Sequence, residues 1–143
     1  MKAIVIFDSN YGNTKQIADA IAGVLGTKSV LVSNAKSEDL TGTDLLIVGS
    51  PINAWRPTQK VKSFLSGLKS GQLNKIKGAA FDTRVKSIIS GNAAKKISKS
   101  LEQLGATIIM PPQAFYVKGN EGPLLEGEIE KAKDWAKKIQ SLV

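Results

Sequence analysis

The sequence predicts an α/β fold in three layers: a doubly wound, five-stranded parallel sheet with helices on both faces. Three observations predict it. Five short apolar runs, rich in β-branched residues, recur along the chain and are apolar at consecutive positions, as strands buried on both faces require. Between them lie segments whose apolar residues are spaced three and four apart, the signature of amphipathic helices. Glycines stand where two of those helices should end.

The first strand is AIVIF at residues 3–7, followed by a helix over 14–25 that Gly26 stops. SVLVS at 29–33 and LLIVGS at 45–50 supply the second and third strands, and 58–68 the second helix. GAAF at 78–81 reads as the fourth strand, 92–104 as a helix ended by Gly105, and TIIM at 107–110 as the fifth strand. Pro111 and Pro112 interrupt that strand. AFYVK at 114–118 reads as its continuation at a sheet edge, where proline is tolerated. From about Glu126, Ile129, Ala132, Trp135, Ala136 and Ile139 line one face of a last helix, which assigns Trp135 to the core. No repeat, linker or low-complexity tract divides the 143 residues, so one domain is expected over 1–143.

Composition narrows the chemistry. At 42% apolar and 22% charged, the chain lies near the globular average, which sets aside disordered and fibrous classes. It contains no cysteine and no histidine, which excludes disulfides, thiolate clusters, the common zinc sites and Ser-His or Cys-His nucleophilic pairs. Redox or acid-base chemistry must therefore rest on carboxylates, lysines or a borrowed cofactor. The apolar run after Met1-Lys2 is too short for a signal peptide, and no run approaches the ~20 residues of a membrane span. A cytoplasmic protein without membrane contact is expected.

In open parallel sheets, ligands settle beyond the carboxyl ends of the strands, where the winding direction reverses. Three loops fall there, at 8–14, 50–57 and 82–91. The first, DSNYGNT, joins a strand to a helix. A helix N-terminus presents unpaired N–H groups and a partial positive charge, and Gly12 lets the backbone turn sharply and approach a phosphate closely. Ser9, Tyr11, Asn13 and Thr14 add side-chain donors. The loop has no lysine, so it is not a P-loop, and its neutral donors suit a phosphate monoester. A plain polar turn capped by Asn13 or Thr14 has the same composition. In the second loop, SPINAWRP, Trp55 lies off any helical or strand period and suits stacking on a planar ring, or else folds over the sheet edge.

DSNYGNT, GSPINAWRPTQKVKSFL, AAFDTR and the tail FYVKGNEGPLLEGEIEKAKDWAKK together resemble a short-chain flavodoxin, or a close relative with a flavodoxin-like fold, over essentially the whole chain. The resemblance implies strand order 2-1-3-4-5, FMN held noncovalently, and electron transfer between redox partner proteins. It implies that Ser9, Asn10, Tyr11, Gly12, Asn13 and Thr14 cradle the FMN phosphate. Ser50, Pro51, Ile52, Asn53, Ala54 and Trp55 would form the loop against one ring face, and Phe81, Asp82, Thr83 and Arg84 would line the other side and the pyrimidine edge. It also implies a monomer. Two departures stand out. The family commonly has a glycine in the second loop so that a peptide can flip towards the reduced ring, where this chain has Ile52-Asn53-Ala54; asparagine tolerates a positive φ, alanine does not. The third loop also lacks the tyrosine or tryptophan that often covers the outer ring face.

Charge is the third departure. The family is typically acidic, whereas this chain carries +8, and its excess lies between Arg56 and Lys99, with eleven basic residues against Asp82 alone. One cation about 10 Å from the reduced ring, at an effective dielectric near 20, contributes about 1.7 kcal/mol, roughly 70 mV towards easier reduction. Such a field steers acidic partners, although a solvated lysine-rich helix face has the same composition. An electron carrier is the leading expectation. The alternatives are an FMN-dependent oxidoreductase acting on a small molecule such as a quinone, and a binding module of the same fold without redox role. A receiver domain would need paired acids after the first strand, and Asp8 stands alone. Nucleic-acid binding would leave SNYGNT and NAWRP without a purpose.

Overall fold

The computed structural model describes residues 1–53, 55–86 and 91–143. Strands β1 (Ala3–Phe7), β2 (Ser29–Leu31), β3 (Leu45–Pro51), β4 (Lys77–Val85), β5 (Thr107–Ile108) and β6 (Gln113–Val117) form one sheet in which every named pairing is parallel. Its order is 2-1-3-4-5. Helices α1 (Asn13–Leu25), α2 (Gln59–Ser66) and α3 (Ala93–Gln103) follow β1, β3 and β4, and α4 (Glu128–Ser141) follows β6, while two 3₁₀ turns join β2 to β3. β3 occupies one edge of β4, so β5 and β6 share the other as a single interrupted edge strand, broken where Pro111 and Pro112 cannot donate to the ladder.

Side-chain alternation divides the core in two. Val5, Phe7, Leu45, Ile47, Ala79 and Phe81 face α1 and α4, while Ile4, Ile6, Leu46, Val48 and Ala80 face α2 and α3. Trp135 lies in the first of these cores, edge-on to Phe81 and Phe115 with ring centroids 6.1 and 6.0 Å away. Gly49 is required by this packing: a Cβ there would stand 2.0 Å from Cζ of the fully buried Phe81 ring. Gly26 ends α1 at φ 70°, returning its N–H to the carbonyls of Ala22 and Gly23.

β3 and β6 lie within one residue of their sequence-based limits, β5 stops at Ile108, two residues before the expected end at 110, and β2 and β4 differ for identifiable reasons. β2 is shorter than 29–33, because it pairs only with β1 and the chain then tightens into a 3₁₀ turn at Val32–Asn34 that buries Val32. β4 is longer than 78–81 and runs on through Asp82, Thr83, Arg84 and Val85, since β3 and β6 pair it on both sides despite its polar side chains. That extension carries part of the third expected loop into the sheet. Ala54 and residues 87–90 of the expected loops lie outside the described residues.

Candidate functional site

A cleft of about 540 Å³ opens at the carboxyl ends of β1, β3 and β4. This is where the winding reverses, since β1 is followed by β2 on one side and β3 lies on the other. Three sequence segments meet in it. From the first come Ser9, Asn10, Tyr11, Asn13 and Thr14; from the second Pro51, Ile52, Asn53 and Trp55; from the third Thr83 and Arg84.

The first segment is built around Gly12, which precedes α1 at φ 92° with no side-chain cap on the helix. Asn13 and Thr14 are therefore the first helical residues and not its caps. Ser9 Oγ accepts the Gly12 N–H at 2.9 Å and closes the loop. The first α1 backbone bond among the described residues is Gln16 N–H to Gly12 O, which leaves the N–H groups of Asn13, Thr14 and Lys15 without a protein acceptor there. These three donors, with the helix dipole behind them, are the electrostatic complement of a phosphate. Thr14 and Thr83 share a hydrogen bond between their hydroxyls at 2.8 Å, which ties the loop to β4.

The second segment is a tight turn. Asn53 N–H donates to Arg56 O at 2.7 Å and Arg56 N–H to Asn53 O at 3.0 Å. Among its described residues, Trp55 is left-handed, with φ 66°, and Asn53 is not. Turns of this kind normally place glycine there, so the tryptophan holds a conformation that costs on the order of 1 kcal/mol or more. Trp55 is 63% exposed and lines the cleft, so it does not fold over the sheet edge. Ser50 is fully buried and does not line the cleft; its Oγ donates to Pro51 O at 2.8 Å and accepts the Thr58 N–H at 3.0 Å, fixing the loop to the start of α2.

The third segment divides by strand alternation. Phe81 and Asp82 do not line the cleft. Phe81 points into the α1/α4 core, and Asp82 points the other way, towards α3. Asp82 is fully buried and accepts the Ala94 N–H at 2.9 Å, together with Arg84 Nε at 2.8 Å and Nη2 at 2.6 Å. Arg84 Nη2 also donates to Asn92 Oδ1 at 3.0 Å, the same oxygen that caps α3 through the Lys95 N–H. The hydrogen bond to Asp82 raises the Arg84 pKa, against the opposing effect of burial. Of the cationic block, Arg84 thus reaches the cleft already paired with an anion, and its field there is that of a dipole, weaker than the isolated cation assumed from sequence.

Val85, Val117 and Asn120 complete the lining. Sequence reasoning missed them, because Val85 reads as loop and Val117 as edge strand. Only the turn-rich GNEGP run around Asn120 carried a signal.

Together the doubly wound sheet, the cleft at its switch point and the free helix-start donors define a protein class that binds a phosphorylated ligand at the strand ends. The chain matches the family described as Flavodoxin domain over residues 4–117, and it belongs to that family. It is 35% identical over 83 residues to a flavodoxin of Aquifex aeolicus, an alignment covering 54% of this chain and 45% of that protein. The chain thus spans less than half the length of this relative. In solved structures, it is similar to oxidised flavodoxin 1 of Bacillus cereus, with a TM-score of 0.81 and 19% identity over 100% of this chain and 99% of that one. Rubredoxin oxygen:oxidoreductase of Desulfovibrio gigas is similar over 99% of this chain and 35% of its own, with a TM-score of 0.79 and 22% identity. At these identities the structural likeness establishes the fold alone.

Proposed function

We propose that the cleft binds FMN and that the protein carries electrons between partner proteins with acidic docking surfaces, working as a monomer. The observation that carries the reading is the trio of acceptor-free N–H groups at the start of α1, opening into a cleft that an exposed tryptophan also lines. In this reading Ser9, Asn10, Tyr11, Gly12, Asn13 and Thr14 hold the phosphate. Trp55, Ile52 and Asn53 contact the ring, while Thr83 and Arg84 face its polar edge. Ser50, Phe81 and Asp82 act from behind: Ser50 and Asp82 fix the loops, and Phe81 fills the core beneath them.

The bound flavin supplies the redox chemistry, and the protein supplies its position and electrostatic setting. The carrier reading is preferred to a turnover enzyme because the residues lining the cleft include no carboxylate, and the chain has no histidine to move a substrate proton. No helix among the described residues is long and apolar enough to cross a membrane. The test is the visible spectrum of the purified protein, followed by titration of stripped protein with FMN and with riboflavin. FMN binding tightly and riboflavin at least about tenfold more weakly is the expected result, since a charge-assisted set of phosphate bonds contributes more than 1.4 kcal/mol. A colourless protein that does not quench either flavin overturns it.

A further inference from the structure

The positive charge is concentrated on one layer of the molecule. α2 and α3 cover the same face of the sheet and carry Lys60, Lys62, Lys95, Lys96 and Lys99, all exposed, against one acid, Glu102. A groove of about 510 Å³ runs between the two helices. Val61, Leu65 and Ile97 form its floor, and Arg56, Lys62 and Lys96 stand along it. None of these three cations has an ion-pair partner among the described residues, and the five residues outside the description are uncharged.

The groove and the flavin cleft share a turn. Arg56 borders the groove, and its backbone closes the turn with Asn53, while Asn53 and Trp55 line the cleft. A protein held in the groove therefore lies against the turn that borders the cleft. We infer that the α2–α3 groove is the docking site for an acidic segment of the protein that exchanges electrons with the flavin. The redox meaning of this site rests on the FMN reading above, whereas the docking itself rests on charge and shape. No aromatic ring lines the groove for a nucleobase to stack on, which favours a protein over a nucleic acid. A second copy of the chain, which carries the same net charge of +8, is a poorer occupant of a cationic groove.

The experiment titrates the full-length protein, with and without added FMN, against a fluorescein-labelled Glu-rich peptide at low salt. Two doubly reversed variants are compared: Lys62→Glu with Lys96→Glu in the groove, and Lys137→Glu with Lys138→Glu on α4, across the sheet. Both change the net charge equally. The expected result is a loss of roughly tenfold or more in peptide affinity for the groove variant and little change for the α4 variant. Amide chemical-shift changes should map to α2, α3 and Arg56. Equal losses in the two variants, shifts confined elsewhere, dimerisation through the groove in sedimentation, or displacement of the peptide by an equimolar single-stranded oligonucleotide would each overturn the proposal. Visible spectra of the FMN-loaded variants separate the two readings. Normal flavin binding with indifferent groove variants defeats the docking alone, and failure of the wild type to bind FMN defeats the flavin reading alone.

Discussion

Replacing Arg84 with methionine removes three hydrogen bonds at once: two to Asp82, at 2.8 and 2.6 Å, and one to Asn92 at 3.0 Å. The Asp82 carboxylate, fully buried, is left with the Ala94 N–H as its remaining partner among the described residues. Stranding a buried charge in this way costs about 3–5 kcal/mol, a large part of the roughly 5–15 kcal/mol a domain possesses. At roughly 3–4 °C per kcal/mol for a chain of this size, the melting temperature should fall by about 10–20 °C. Differential scanning calorimetry at neutral pH reads this directly. The double variant, with Asp82→Asn added, should regain more than half of the loss, because the penalty comes from the unpaired charge and an asparagine oxygen can still accept the Ala94 N–H. A single variant that loses less than about 1 kcal/mol, or a double variant as unstable as the single, would refute the reasoning that this pair is a desolvated unit.

Four further outcomes are expected. Gly49→Ala should cost about 1–3 kcal/mol in urea unfolding, because its Cβ meets a Phe81 ring locked by Phe115 and Trp135; trimming the ring with Phe81→Leu should relieve part of that cost. Trp55→Gly should leave the fold unchanged or slightly more stable by removing the left-handed strain, yet weaken FMN binding about 5- to 100-fold through the lost ring, as fluorescence titration would measure. Trp135 Nε1 is buried without a hydrogen-bond partner among the described residues, so Trp135→Phe should cost less than about 1.5 kcal/mol while Trp135→Ala costs about 3–5 kcal/mol, both read by denaturant melts. Burial raises the Asp19 pKa, but hydrogen bonds from Lys15 and Ser29 and the Lys15 charge together hold it below its ordinary value. Asp19 therefore stabilises the fold above the ordinary carboxylate range, and the small advantage of wild type over Asp19→Asn should fade as pH falls into and then below that range in thermal melts.

The fold was legible because its signals are local and repeated. Consecutive apolar positions in AIVIF and LLIVGS mark strands covered on both faces, and the 3.6-residue spacing of the last helix placed Trp135 in the core. The site was less legible, and the reason is geometric. A motif is read as a run of neighbours, whereas a strand sends neighbours to opposite faces. AAFDTR looks like a block beside a ligand, but β4 continues through it, so Phe81 enters one core and Asp82 turns to α3, leaving Thr83 and Arg84 at the cleft. The missing glycine of the second loop drew attention to Ile52-Asn53-Ala54, whereas Trp55 holds a positive φ, which its residue type does not suggest. Charge was legible as a total and not as a field, because Arg84 pairs with Asp82 two residues back only once β4 continues through both and puts them on one face.

The two prolines after β5 connect these observations. Four residues, 109–112, lie against only Ala79 and Ala80 between the last β5 pair and the first β6 pair, so the edge strand carries a two-residue excess there. An excess of two preserves side-chain alternation, so Phe115, opposite Thr83, still faces the α1/α4 core where Phe81 and Trp135 receive it. A one-residue excess would have turned Phe115 towards α3 and its neighbour Tyr116 into the core. Because the register survives, β6 pairs β4 as far as Val85 and Val117, two residues that line the cleft together. The same pairing holds Thr83 beside Thr14 at the start of α1, so the part of the site contributed by β4 depends on an interruption that the sequence marks with two prolines but whose two-residue register it does not reveal.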